Sequence, residues 1–101
     1  MLIVAAELSI EANAVDGVRD ALAVMETESR KESGCGTYVF SIDVNDPCTL
    51  RIFERWDSME ALEVHFKTPH MAAFREELAK VNPKSMDVKV YDVAGELSLS
   101  S

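Results

Sequence analysis

The chain has 101 residues, of which 48% are apolar and 28% charged. That length fits one domain, and such a domain buries only about two-thirds of the surface its unfolded chain exposes. So apolar a composition in so short a chain suggests further buried surface, at a subunit interface or a pocket. Ten Lys and Arg against eighteen Asp and Glu give a net charge of −8. The scattered basic residues form no stripe for nucleic acid, and anionic membrane surfaces are disfavoured. No apolar run approaches the ~18 residues of a membrane span, and Met1 to Glu7 has no basic segment of a secretory signal. A cytoplasmic protein is expected. Cys35 and Cys48 fall at opposite ends of an expected hairpin, so a disulfide between them is disfavoured.

The first strand runs from about Leu2 to Ile10, with Leu2, Val4, Ala6, Leu8 and Ile10 on one face and Ile3, Ala5, Glu7 and Ser9 on the other. Both faces start apolar, which suggests cover on both sides. Asn13 reads as the N-cap of a helix from Ala14 to Glu32, whose Val15, Val18, Leu22 and Met25 make one stripe, with Gly34 as its stop. Gly36 to Asp43 is the second strand, Asn45-Asp46-Pro47 the turn, and Thr49 to Trp56 the third strand. Leu50, Ile52, Glu54 and Trp56 share a face of it. Asp57 or Ser58 caps a short helix ending near Phe66, with Asp57 and Glu60 spaced as a capping box. Thr68-Pro69 starts another helix, which stops at Asn82-Pro83. Met86 to Val93 is the last strand, and Glu96 to Ser101 a polar tail.

The order β-α-β-β-α-α-β is that of an α+β, ferredoxin-like domain over residues 1–95, with helices on one face of an antiparallel sheet. A second copy of the chain is the simplest cover for the other face.

The stretch after the third strand holds the only Trp and both His: Trp56, His65 and His70. Trp, His and Glu are the residue types that line small-molecule pockets and move protons near neutral pH. His65 is the first candidate for a general base, the alternative being a histidine that packs against the adjacent helix. Glu7, an acid among small and apolar neighbours, is the second; alternatively it pairs with Arg51, Arg55 or Lys89 across the sheet. Trp56 could stack on a flat substrate, and Glu54 beside it reads most simply as paired with an Arg. His70 could donate to a substrate oxygen, Arg75 or Arg51 could meet an anion, and Phe66 and Phe74 read as core that also lines any pocket. The two His are five apart across a helix break, without a carboxylate at a zinc-type spacing, so no metal site is expected. No nucleophile elbow and no Gly-rich phosphate loop is present in the sequence.

Ala6-Glu7, Gly34-Cys35, Glu54, Trp56, Ser58, Leu62-Glu63, His65 and Thr68-Pro69-His70-Met71 together resemble the antibiotic biosynthesis monooxygenase domain family, in particular its small quinol-monooxygenase-like members. The resemblance runs from about Leu2 to Val93. It implies a dimeric α+β barrel, two sheets face to face, with a pocket between sheet and helices in each subunit. It also implies chemistry without metal, flavin or haem: a hydroquinone-like or polycyclic phenol loses a proton, and its anion reduces O₂. On that reading His65 and Glu7 are catalytic, and Trp56, His70, Arg75, Phe74 and Phe66 bind the aromatic substrate. The family's haem-degrading branch carries an Asn, a Trp and a His where this chain has Glu7, His65 and Arg75, so haem degradation is disfavoured. Two other classes stay open. One is an isomerase or other enzyme for a small anionic metabolite, which needs Arg and Lys converging on a pocket. The other is a non-catalytic dimeric binder of aromatic metabolites.

Overall fold

The computed structural model describes residues 1–100 and has four strands and three α-helices. Strand β1 (Leu2–Ser9) is followed by helix α1 (Arg19–Arg30), strands β2 (Cys35–Asp43) and β3 (Asp46–Trp56), helices α2 (Met59–Phe66) and α3 (Pro69–Val81), and strand β4 (Ser85–Asp92). The sheet order is β2-β3-β1-β4 with every pair antiparallel, the expected ferredoxin-like arrangement. Leu2, Val4, Ala6 and Leu8 of β1 and Leu50, Ile52 and Trp56 of β3 are buried together with Leu22 and Met25 of α1, Leu62 of α2 and Phe74 of α3. The period-2 pattern of the strands thus meets the apolar stripes of the helices in one core.

Local chemistry explains most boundaries. Ser58 caps α2, its hydroxyl accepting from the Ala61 N–H at 3.2 Å; the cap is therefore Ser58 rather than Asp57, and the Asp57–Glu60 box does not supply it. Thr68 caps α3 with Pro69 in its first turn, and Asn82 in the left-handed region (φ 50°) ends it. At the edge of the sheet α1 completes β2: Glu26 accepts from the Phe40 N–H at 2.8 Å, and Arg30 donates to the Tyr38 carbonyl at 3.0 Å. Edge backbone that would otherwise invite another strand is satisfied there.

Several expectations are corrected. The single helix from Ala14 to Glu32 is a 3₁₀ turn (Ala14–Gly17) followed by α1 from Arg19. Asn13 adopts φ 71° and makes no side-chain cap, and Val18, at φ −125°, breaks the helical path between the two pieces. Val15 and Val18 still pack on the core, so the stripe was right while the continuity was not. The hairpin turn is Val44-Asn45, since Asp43 pairs with Asp46. Asp46 and Pro47 belong to β3, where it projects past β1, whose last partner is Thr49. There Pro47 costs the β1–β3 ladder no hydrogen bond. Cys35 and Cys48 are free thiols, as expected.

Within one chain β1 is covered on one side only. The sheet face turned away from the helices carries Ile3, Ala5 and Val39, all half-buried, with Phe53 and Tyr91 exposed. The neighbouring row Ser41, Arg51, Glu7 and Asp87 is polar, so that face is half apolar and half charged. The helices also leave β4 bare: all eight of its residues are exposed, including Met86, Val88 and Val90. Residues 93–100 have no regular structure, and Ser101, the last residue of the expected tail, lies outside the described residues. Among the described residues no helix is long and apolar enough to cross a membrane.

Candidate functional site

The strand pairing places a row of chemistry-bearing side chains under α2. Tyr38 pairs with Glu54, and Cys35 with Trp56, on the helix-facing side of the sheet. The register shifts between these pairs, leaving Gly36 unpaired. Such a bulge resets the alternation, and Tyr38 thereby shares a face with Trp56.

Trp56 is fully buried, and its indole N–H donates to Glu54 Oε1 at 2.9 Å. Glu54, also buried, is pushed up to about 7: loss of water around the carboxylate raises it, the indole hydrogen bond opposes, and the charge of Glu32 adds. Burial raises the Tyr38 phenol as well, with Glu54 contributing.

His65, in the last turn of α2, is 1% exposed. Its ring lies 4.6 Å from the Trp56 ring and 5.5 Å from Tyr38, centroid to centroid. Nδ1 is 2.6 Å from Glu32 Oε2. Burial lowers the imidazole pKa, partly offset by Glu32, while His70 and Arg75 lower it further. A neutral ring beside a carboxylate places its proton on Nδ1, donated to Glu32, which leaves the lone pair on Nε2. That Nε2 is buried and has no hydrogen-bond partner among the described residues.

Glu32 comes from the turn between α1 and β2. Gly34, at φ +90°, lets the turn press against α2: a Cβ there would stand 2.7 Å from the Ala61 Cβ. His70, in the first turn of α3, brings Nε2 to 2.8 Å from the same Glu32 oxygen. Thr68 ties the two helices together, donating to the His65 carbonyl at 2.8 Å while accepting from the Met71 N–H. Two histidines, from α2 and α3, thus converge on one carboxylate from the turn between α1 and β2.

The other candidates are distributed as follows. Phe66 is exposed at the rim, 5.9 Å from the His65 ring. Phe74 is core, tilted against Phe40 at 5.5 Å. Arg75 is exposed in a shallow groove with Leu78, Pro83 and Met86; its charge reaches His65 but it forms no ion pair with Glu32 among the described residues. Glu7 lies on the opposite face of the sheet from His65, 3.5 Å from Arg51, which also binds Asp43 at 2.7 Å. The alternative reading of Glu7, an acid paired across the sheet, describes its position. Sequence reasoning missed Glu32 altogether. Its separation from His65 and His70, 33 and 38 residues, hides it, and the sharp turn demanded by Gly34 is the one local sign.

A cavity of about 460 Å³ opens beside Glu32, lined by Ser33, Asp57, Ser58, Glu60 and Thr68 among others. His65 and Trp56 do not line it. Its charged lining residues are all acids, and the ion-pair partners of Glu32 among the described residues are the two imidazoles alone.

Comparison with known proteins agrees with this architecture. The sequence pattern of the antibiotic biosynthesis monooxygenase family matches residues 1–77. An uncharacterised protein of Synechocystis sp. is 35% identical over 66 residues, 65% of this chain and 45% of that protein. Escherichia coli K12 YgiN, by name a probable quinol monooxygenase, is 33% identical over 67 residues, 58% of this chain and 64% of that protein. The matches therefore span less than two-thirds of either relative. Among solved structures, one from Deinococcus radiodurans superposes over 100% of both chains with TM-score 0.89 at 25% identity. One from Mycobacterium tuberculosis covers 96% of this chain and 98% of its own, with TM-score 0.84 at 28% identity.

Proposed function

The chain belongs to the antibiotic biosynthesis monooxygenase family, and we propose that it acts as a cofactor-independent monooxygenase on a hydroquinone-like or polycyclic phenolic substrate. The observation that supports this reading is the Glu32–His65 pair, with an unpartnered Nε2 on an imidazole packed among the Trp56 and Tyr38 rings. A carboxylate fixing Nδ1–H makes Nε2 the proton acceptor, the division of labour by which imidazole serves as a general base. Glu7, on the far side of the sheet, has no part in this mechanism.

His65 Nε2 removes a proton from the activated substrate, and the resulting anion passes one electron to O₂. The radical pair joins through a new carbon–oxygen bond to give a peroxide anion. Loss of the remaining hydrogen from that carbon with cleavage of the O–O bond leaves one oxygen in the product carbonyl, and the other departs as water with the proton held by His65. The substrate is oxidised by the O₂ it reduces, so the balance needs no further electron donor. Tyr38, Trp56 and the rim residue Phe66 offer flat apolar surface, and exclusion of water from such a site strengthens polar contacts to the developing oxyanion. Because Nε2 is sealed in this conformation, substrate reaches it only when the α2–α3 junction held by Thr68 yields.

The anionic-metabolite alternative needs converging cations, and Arg51 and Arg75 lie apart, on a different face and in a different groove from the cluster. The homodimer belongs to the same proposal. Ile3, Ala5, Val39, Phe53 and Tyr91 form the apolar half of the free face, and a second copy would cover them. Light scattering after gel filtration should give twice the chain mass, with Phe53→Glu shifting it to one; a monomeric wild type would refute the pairing. For the chemistry, oxygen uptake in the presence of EDTA by wild type and by His65→Ala is the direct test, with uptake expected only in the former. The two unpaired thiols support a cytoplasmic location.

A further inference from the structure

The Glu32 cluster has features that proton transfer does not use. Three potential ligand atoms, one each from Glu32, His65 and His70, lie within 4.8 Å of one another. Both imidazoles point at Glu32 Oε2, and the other carboxylate oxygen, Oε1, is buried without a partner. An unpartnered carboxylate oxygen out of water costs free energy, and no Lys or Arg forms an ion pair with Glu32 among the described residues. Asp57 and Glu60 line the cavity beside Glu32 and deepen the negative potential there. Each of these observations favours a positive ion at this point.

We propose that Glu32, His65 and His70 form a binding site for one divalent transition-metal ion of the zinc class. Two imidazole nitrogens and a carboxylate oxygen are a donor set that suits Zn²⁺ and its first-row neighbours. Bonds of about 2.0–2.2 Å in tetrahedral array set ligand atoms roughly 3.3 Å apart. The present Nδ1–Oε2 and Nε2–Oε2 distances of 2.6 and 2.8 Å need only open slightly as the two rings swing together. Three protein ligands leave the fourth position to water.

Occupancy changes the tautomers without changing the proton count. The metal takes the lone pair of His65 Nδ1, so that ring's single proton moves to Nε2; His70 binds through Nε2, and the proton it donates from there to Glu32 in the metal-free site moves to Nδ1. Nε2 of His65 then becomes a donor instead of an acceptor, and the metal-bound form has no base. The site is therefore a switch for the reaction rather than its cofactor. This consequence rests on the reading of His65 as the base; the binding itself does not.

The test is calorimetric titration of chelator-stripped protein with ZnCl₂, paralleled by Co²⁺ addition followed through the visible absorption of tetrahedral cobalt. Wild type should saturate at one ion per chain. Glu32→Gln and His70→Ala should each weaken binding at least ~10-fold, while Glu76→Gln, at an exposed position of α3, stays within about two-fold of wild type. Circular dichroism checks that these variants, and His65→Ala in the uptake assay, are folded. Absence of saturable binding in wild type, or equal binding by both ligand variants, would overturn the site. Zinc binding without oxygen uptake in either the stripped or the loaded form would sink the base and leave the metal site standing.

Discussion

Replacing Glu54 with Gln separates the effect of a buried charge from the effect of its hydrogen bond. Gln keeps an oxygen for the Trp56 indole N–H, now met at 2.9 Å, and removes the ionisation. In the wild type the carboxyl titrates near 7 rather than at its ordinary 4.5, chiefly because it is buried. Below about 4.5 both folded and unfolded chains hold this proton, and the group is neutral towards stability. Between 4.5 and 7 the unfolded chain releases it and the folded chain does not, so stability falls as pH rises. Above 7 the folded chain carries a buried carboxylate and the loss is complete. At about 1.4 kcal/mol per pH unit the gap amounts to roughly 3 kcal/mol. Urea unfolding of wild type and Glu54→Gln at pH 5, 6, 7 and 8, at one protein concentration, measures it directly. The stability difference should move in favour of the variant by about 2–3 kcal/mol between pH 5 and pH 8. A difference that stays constant across this range would refute the burial argument.

Gly34→Ala forces a Cβ into a residue at φ +90° and to within 2.7 Å of the Ala61 Cβ. It should cost on the order of 2–3 kcal/mol in urea unfolding and move Glu32 away from the two imidazoles. Ser58→Ala removes the hydroxyl that accepts the Ala61 N–H and should cost about 1 kcal/mol by the same measurement, as lost N-caps do.

The element order was legible because three kinds of local signal agreed. Strict alternation in β1 and β3 marked one buried face, Thr68-Pro69 and Ser58 marked helix starts, and Asn82-Pro83 marked a stop. The start of α1 was not legible. Val15 and Val18 keep helical spacing across the 3₁₀ turn, so periodicity alone could not show the break at Val18. The hairpin was misplaced by its Asn-Asp-Pro turn chemistry, since nothing local shows that β3 projects beyond β1 and can accept Pro47 in its tip.

The site was legible in part. His65, His70 and Trp56 stood close in sequence and are close in space, because α2 and α3 follow directly on β3. Glu7 looked equivalent by residue type, but an odd position on β1 faces away from the helices, and only the layer arrangement decides which parity is the core side. Glu32 could not be found from spacing, because the contact closes the loop from α1 to α2 and α3. The expectation of no metal site rested on the absence of a carboxylate near the two His in sequence, and tertiary structure supplies one at 2.6 and 2.8 Å.

The role of His65 is tested most directly by oxygen consumption in EDTA, with a panel of hydroquinones and anthrones, by wild type, His65→Ala and Glu32→Gln. Wild type should consume O₂ above background and His65→Ala should fall by about 10²-fold or more, the contribution of a general base. Glu32→Gln should fall comparably, since a Gln amide can donate to Nδ1 and thereby leave the proton on Nε2. Uptake by the two variants equal to that of wild type, or binding of the same compounds by wild type without any uptake, would contradict His65 as the base.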